Sequence, residues 1–214
     1  MEETLDKPRE GRGDAPIGGE PPSRVQEHLR VDEARRADLR KRLAGMQPTD
    51  GLERSHLRRM LTLLSSPSDP CAREHFTPGH FTASAFVLNP AQDSLLLIFH
   101  GKLARWLQPG GHVDPADMDV LAAARRELSE EVGLSDLPLV RPAIFDVDVH
   151  DIPARGRTPV HAHFDVRFLF QAHDEGCRAG SDAQDARWFR LDEIDAALSD
   201  PSVLRAVRKI LTAP

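Results

Sequence analysis

The sequence predicts an α/β fold: an α/β sandwich with a mixed sheet, preceded by an N-terminal helical pair. Three observations predict it. Short apolar runs bounded by turn residues alternate with segments of helical period from residue 80 onward. One of those segments is a glutamate-bearing helix behind a glycine pair. Two further helical patterns precede the first strand. Mixed order of this kind favours layers of helix on a sheet.

Taken in order, residues 1–23 carry Pro16, Gly18, Gly19, Pro21 and Pro22 among charges. With so little apolar content they read as a disordered tail. Residues 24–45 read as a helix, with Val25, Leu29, Leu39 and Leu43 apolar and Gly45 as its stop. Residues 50–65 read as a second, with Leu52, Leu57, Met60, Leu61 and Leu64 apolar, ended by Pro67 and Pro70. This helical extension, residues 24–70, packs on the domain that follows, residues 71–214, or on a second subunit, which leaves a homodimer open. Phe81–Leu88 and Ser94–Phe99 read as strands, separated by the turn chemistry of Asn89, Pro90 and Asp93. Leu139–Val149 and His161–Ala172 are further strand candidates. Leu191–Leu198 reads as a helix, and Pro201 opens a last one.

Composition limits the functional classes. The chain of 214 residues has a formal net charge of −6 and is 40% hydrophobic, as a soluble globular protein would be. No apolar run reaches the roughly 18 residues of a membrane span, and the N-terminus lacks an apolar signal core. Cys71 and Cys177 are isolated, so neither a disulfide framework nor a zinc-binding cysteine pair is expected. A cytoplasmic location follows. The acidic balance argues against nucleic acid as a partner. The basic runs Arg35, Arg36, Arg40, Lys41, Arg42 and Arg54, Arg58, Arg59 read as solvated helix faces.

The chemistry concentrates between Gly110 and Leu134. On a helix, Glu127, Glu130 and Glu131 fall within an arc of roughly 100°. Val120, Leu121, Ala124, Leu128 and Val132 occupy the neighbouring arc and face a core, which half-buries Glu131. Two like charges about 4 Å apart repel by roughly 4 kcal/mol at an effective dielectric near 20. Such a cluster either neutralises itself or shares a cation. All-oxygen donors suit hard Mg²⁺ or Mn²⁺, which also bind phosphate oxygens. Arg126 stands ready to orient a glutamate through a bidentate pair.

With Gly111, Arg126, Glu127, Leu128, Glu130, Glu131, Gly133 and Leu134 in place, this stretch resembles the signature of the Nudix hydrolases. Two departures occur: Asp117 stands where the signature has its first Glu, and eight residues rather than seven separate it from Arg126. The extra residue belongs to the loop around Pro115 to Asp119, which leaves the role of Asp117 open. The resemblance covers roughly residues 78–200. It implies a Nudix-type α/β/α sandwich, with Glu127, Glu130 and Glu131 holding one to three divalent ions. It further implies that Arg126 orients them and that the Gly111 carbonyl adds a ligand. The implied reaction is attack of water on a phosphorus of a nucleoside diphosphate linked to another moiety. A further acidic residue from a later loop serves such enzymes as base or ligand; Glu175, Asp182 and Asp185 compete for that role.

Beyond the helix, His161, His163 and Asp165 share one face of a strand. They are a polar wall of the substrate pocket, a proton-transfer group, or a solvent-facing edge. A similar His-x-His-Phe-Asp strand occurs in a subset of Nudix-like sequences. Trp106 stacks on a base or sugar, or fills a core. His75 and His80 are equally open. The sequence thus predicts a metal-dependent hydrolase. Its rivals are a Nudix-fold nucleotide sensor that does not cleave, an isomerase of isoprenoid diphosphates (which wants a pocket cysteine), and an α/β interaction domain with an acidic helix.

Overall fold

A parallel pairing between segments far apart in sequence organises the sheet. The structure, a computed structural model, describes residues 24–180 and 185–212. The predicted tail over residues 1–23 and the candidate Asp182 therefore lie outside the described residues. The elements run α1 (Arg24–Ala44), α2 (Gly51–Leu63), β1 (Gly79–Leu88), β2 (Ser94–His100), β3 (Arg105–Leu107), β4 (Gly110–His112), α3 (Val120–Val132), β5 (Asp146–Ile152), β6 (His161–Gln171), β7 (Ala186–Arg190) and α4 (Pro201–Thr212). Strand order is β3-β2-β1-β6-β5, with β4 also pairing β1 and β7 pairing β2. β1 and β6 are parallel in register from Gly79↔Ala162 to Leu88↔Gln171. The remaining ladders between strands are antiparallel, so the sheet is mixed, as predicted.

Period-2 alternation divides the sheet's apolar residues between two layers. Phe81, Ala83, Phe164, Val166 and Phe168 pack with Leu39 and Leu43 of α1, Met60 and Leu63 of α2, and Ala123, Ala124 and Leu128 of α3. Phe86, Leu88, Leu95, Leu97 and Leu169 pack with Val203, Ala206 and Val207 of α4. The α/β/α sandwich follows directly. The helical pair completes the first layer of the same chain rather than waiting for a partner. α1 also braces the loop ahead of α3: the buried Arg35 donates to the Pro115 carbonyl at 3.2 Å, and Arg42 to Asp119 at 3.3 Å. Glu53 of α2, fully buried, pairs with Lys209 of α4.

Several expectations need correction. The basic run in α1 is a solvated face only in part: Arg40 and Lys41 are exposed, whereas Arg35 is buried and Arg36 and Arg42 are half-buried. Arg36 donates to the carbonyls of Leu64, Ser66 and Ser68, and Arg40 also reaches Leu64, so both satisfy carbonyls at and just beyond the end of α2. Strand pairing expected from Leu139 begins as a ladder only at Asp146, because Pro142 has no N–H to give. Before it, Leu139 makes one isolated bridge to Phe170. The helix expected over Leu191–Leu198 is a series of turns. Asp195 captures the N–H groups of Ala197 and Leu198, while Arg105 takes the carbonyls of Ala196 and Ala197. These bonds replace a helical ladder. No helix among the described residues is long and apolar enough to cross a membrane.

Because Met60 is fully buried between α2 and the sheet layer, Met60→Ala should destabilise the domain by about 2–5 kcal/mol. Urea unfolding of the two proteins side by side measures it.

Candidate active site

α3 begins where Asp119 accepts the Ala122 N–H at 2.7 Å, and it stops at Gly133, whose φ of 69° lies in the left-handed region. Between those caps, Val120, Ala123, Ala124, Leu128 and Val132 are buried. Ala123 is buried where Leu121 was expected; Leu121 is half-buried. Glu127 and Glu131 are thereby turned toward β4, Glu131 half-buried as predicted, while Glu130 stays exposed.

Arg126 organises the cluster. Its Nη1 donates to Glu127 Oε1 and Glu130 Oε2, each at 2.9 Å. Its Nη2 donates to the His112 carbonyl at 2.8 Å and to Asp117 Oδ2 at 3.1 Å. Asp117 is only 7% exposed, and its Oδ2 also accepts the Asp114 N–H at 2.8 Å. The role left open for Asp117 is therefore visible: it closes the loop of Asp114 to Asp117 and anchors the guanidinium, despite the added residue. Burial alone would weaken the Arg126 charge, but its hydrogen bonds to Asp117 and Glu127 outweigh that and hold it cationic. Burial pushes the Glu127 carboxyl upward, and Arg126 opposes the rise.

The glycine pair is required by close approach. A Cβ on Gly110 would lie 2.3 Å from Ser84 Oγ and 2.8 Å from the Ala83 carbonyl. One on Gly111 would lie 2.5 Å from Glu127 Oε1. The Gly110 N–H donates to Glu131 Oε2 at 2.8 Å. Backbone and carboxylates thus meet without intervening side chains.

Beside this cluster lies a histidine-rich patch on the sheet. Paired residues share a face, so His80, His163 and His150 form one row across β1, β6 and β5. The next row is His112, Thr82, Asp165 and Asp148. His161 is buried, stacks on His80 at 5.1 Å between centroids, and meets the Pro159 carbonyl at 2.9 Å through Nδ1. His163 lies 4.9 Å from His80 and 5.3 Å from His112, centroid to centroid. Burial, reinforced by the neighbouring rings, brings His80 down to about 4 and holds His163 well below the usual imidazole range.

Asp165 is not on a solvent-facing edge, because β6 is central. Thr82, Ser84, Gln108 and Arg167 all donate to it, Arg167 Nε at 2.7 Å. Arg167 and Arg205 further bind the buried Asp146 and lie within 3.5 Å of Asp148. Both carboxyls titrate below their ordinary value: burial would raise them, but the hydrogen bonds of Arg205 to Asp146 and of His150 to Asp148, with the guanidinium charges beside them, overcome it.

The other candidates are spoken for. Trp106 packs edge-on against Phe99 and Phe189, with Arg187 over its ring. Glu175 accepts from Asn89 at 2.8 Å, and Asp185 pairs with Arg187 at 2.5 Å. Burial pushes the Cys71 thiol up to about 12, which leaves it no nucleophile. His112, His80 and His150 were missed as companions of the His161–Asp165 strand. Their alignment depends on sheet register, although His112 follows the glycine pair directly.

A family model described as the NUDIX domain matches residues 78–208. The phosphatase NudJ of Escherichia coli (strain K12) is 35% identical over 144 residues, covering 60% of this chain and 81% of its own length. Among solved structures, a MutT protein from Methanosarcina mazei Go1 superposes with a TM-score of 0.49 at 15% identity, covering 61% of this chain and 91% of its own. A C. elegans Ap4A hydrolase binary complex gives 0.47 at 18%, covering 61% and 94%.

Gly111→Ala should leave the fold within about 1 kcal/mol of wild type, because only the movable end of Glu127 is displaced, whereas Gly110→Ala should cost about 1–3 kcal/mol through its backbone clash. Chemical denaturation of both variants gives the contrast. For pH, Asp146 and Asp148 titrate in the folded protein below the ordinary aspartate value of 3.8, so their contribution is present above that pH and lost as pH falls below it. Asp148→Asn should therefore flatten the decline of the urea midpoint between about pH 4 and pH 2.

Proposed function

Given that the chain belongs to the Nudix family and is a hydrolase of the pyrophosphohydrolase type, we propose that it cleaves a nucleoside diphosphate linked to another moiety, with Mg²⁺ or Mn²⁺ held by Glu127, Glu130 and Glu131. The observation that carries this reading is the convergence of all three carboxylates on β4, two of them through Arg126 and the third through the Gly110 N–H. An all-oxygen donor set suits a hard cation, and the bare backbone of Gly111 against Glu127 fits a carbonyl ligand beside it. When bound there, the cation supplies Lewis-acid charge against the diphosphate oxygens.

The chain's own residues do the rest. Arg126 fixes Glu127 and Glu130 in one orientation, and Asp117 with the His112 carbonyl fixes Arg126. Glu131 or Glu130 accepts the proton of the attacking water. His161 and His163 line the neighbouring pocket wall, with Asp165 holding their strand through Thr82 and Ser84. Residues 71–214 form the hydrolase domain and 24–70 brace it, in an enzyme of the cytoplasm acting on small molecules. The kinship with a phosphatase supports hydrolysis over nucleotide sensing.

Product release from a panel of nucleoside diphosphate derivatives, with Mg²⁺ or Mn²⁺, tests this. A Glu130→Gln, Glu131→Gln double variant should lose about 10²–10⁴-fold in kcat. Equal turnover by the variant, or turnover undiminished by chelator, would defeat the proposal.

A further inference from the structure

A pocket-wall role for His161 and His163 leaves His80 and His112, in the same patch, without an account. Three of its rings come from three strands: His80 from β1, His112 from β4 and His163 from β6. Each offers a ring nitrogen, and these three atoms lie within 4.8 Å of one another. His80 is 1% exposed and its Nε2 is buried with no hydrogen-bond partner. Leaving such a group unsatisfied costs about 1–3 kcal/mol. Its Nδ1 lies 3.4 Å from the His75 carbonyl. A proton on Nδ1, facing that carbonyl, leaves the lone pair of Nε2 free, the tautomer that second-shell carbonyls set in histidine ligands.

We propose that His80, His112 and His163 form a second cation site, for a borderline ion of the Zn²⁺ class, distinct in chemistry from the carboxylate set on α3. Imidazole selects zinc, copper, nickel or iron over magnesium. Three imidazoles with a fourth position open is also the donor count of a reactive zinc centre rather than a closed structural one. Bonds of about 2.1 Å at the tetrahedral angle place nitrogens roughly 3.4 Å apart, so the rings need close by at most about 1.4 Å. Rotation about the side-chain torsions of the two half-buried rings, His112 and His163, supplies such movement. Asp165 cannot serve as a competing ligand, being occupied by Thr82, Ser84 and Arg167. His161 stacks over His80 with Nδ1 turned to Pro159, closing the patch from its other side.

The two sites share β4. The His112 carbonyl receives Arg126, while its ring belongs to the histidine set. A zinc-class ion would therefore sit beside the diphosphate-cleaving cluster and could engage a second anionic group of the same ligand. The histidine site itself does not depend on the hydrolase reading.

The test uses the full-length, tag-free protein stripped by chelator and titrated with Zn²⁺ against a competing indicator, with Co²⁺ as a spectroscopic probe. The proposal expects one tight equivalent of Zn²⁺, a four-coordinate Co²⁺ spectrum, and retention of both by the Glu130→Gln, Glu131→Gln variant. His112→Gln and His163→Gln should each weaken Zn²⁺ binding by about tenfold or more. Zinc-edge absorption on the wild type counts imidazole ligands with no substitution at all, and three are expected. An oxygen-dominated shell, absence of a stoichiometric equivalent, unchanged affinity in both histidine variants, or loss of zinc from the glutamate variant would each overturn it.

Discussion

One guanidinium holds the candidate active site together. Arg126 donates to two glutamates of its own helix, to the Asp117 carboxylate of the preceding loop and to the His112 carbonyl of β4. Without it, Glu127 and Glu130 would face each other with no cation between them. A lysine could not make this set of contacts, because a compact ammonium lacks the planar fork. The geometry of Arg126 thus turns a local sequence pattern into a three-dimensional site.

That arrangement is supported from behind. α1 reaches the loop through Arg35 at Pro115 and Arg42 at Asp119, the residue that caps α3. The N-terminal helices lie outside the matched family segment, yet they contact the loop that leads into α3.

Much of this was legible in the sequence, and the limits are physical. α3 could be read because its information is local: glutamates at i, i+3 and i+4, a glycine stop and an aspartate cap all lie within one short stretch. β1, β2 and β6 were legible as apolar runs. The Leu191–Leu198 segment misled because Leu191, Ile194 and Leu198 have helical spacing, while Asp195 and Arg105 divert its backbone bonds. Asp117 could be named but not given a role, since counting residues through a loop does not reveal how the loop folds back. The histidine patch was half visible. Period 2 placed His161, His163 and Asp165 together, but adding His80, His112 and His150 required the registers of β1 and β5 on β6 and of β4 on β1.

The Glu53–Lys209 pair joins segments 156 residues apart, and this bears on the order in which the protein can be made. During synthesis α2 emerges long before α4, as β1 emerges long before the β6 it must lie beside. The apolar faces of α1 and α2, with Leu43, Met60 and Leu63, remain without their sheet until nearly the whole domain has left the ribosome. Folding dominated by such distant contacts is slow and leaves sticky intermediates exposed. The N-terminal helices are thus the apolar surface left longest uncovered while this chain is being made.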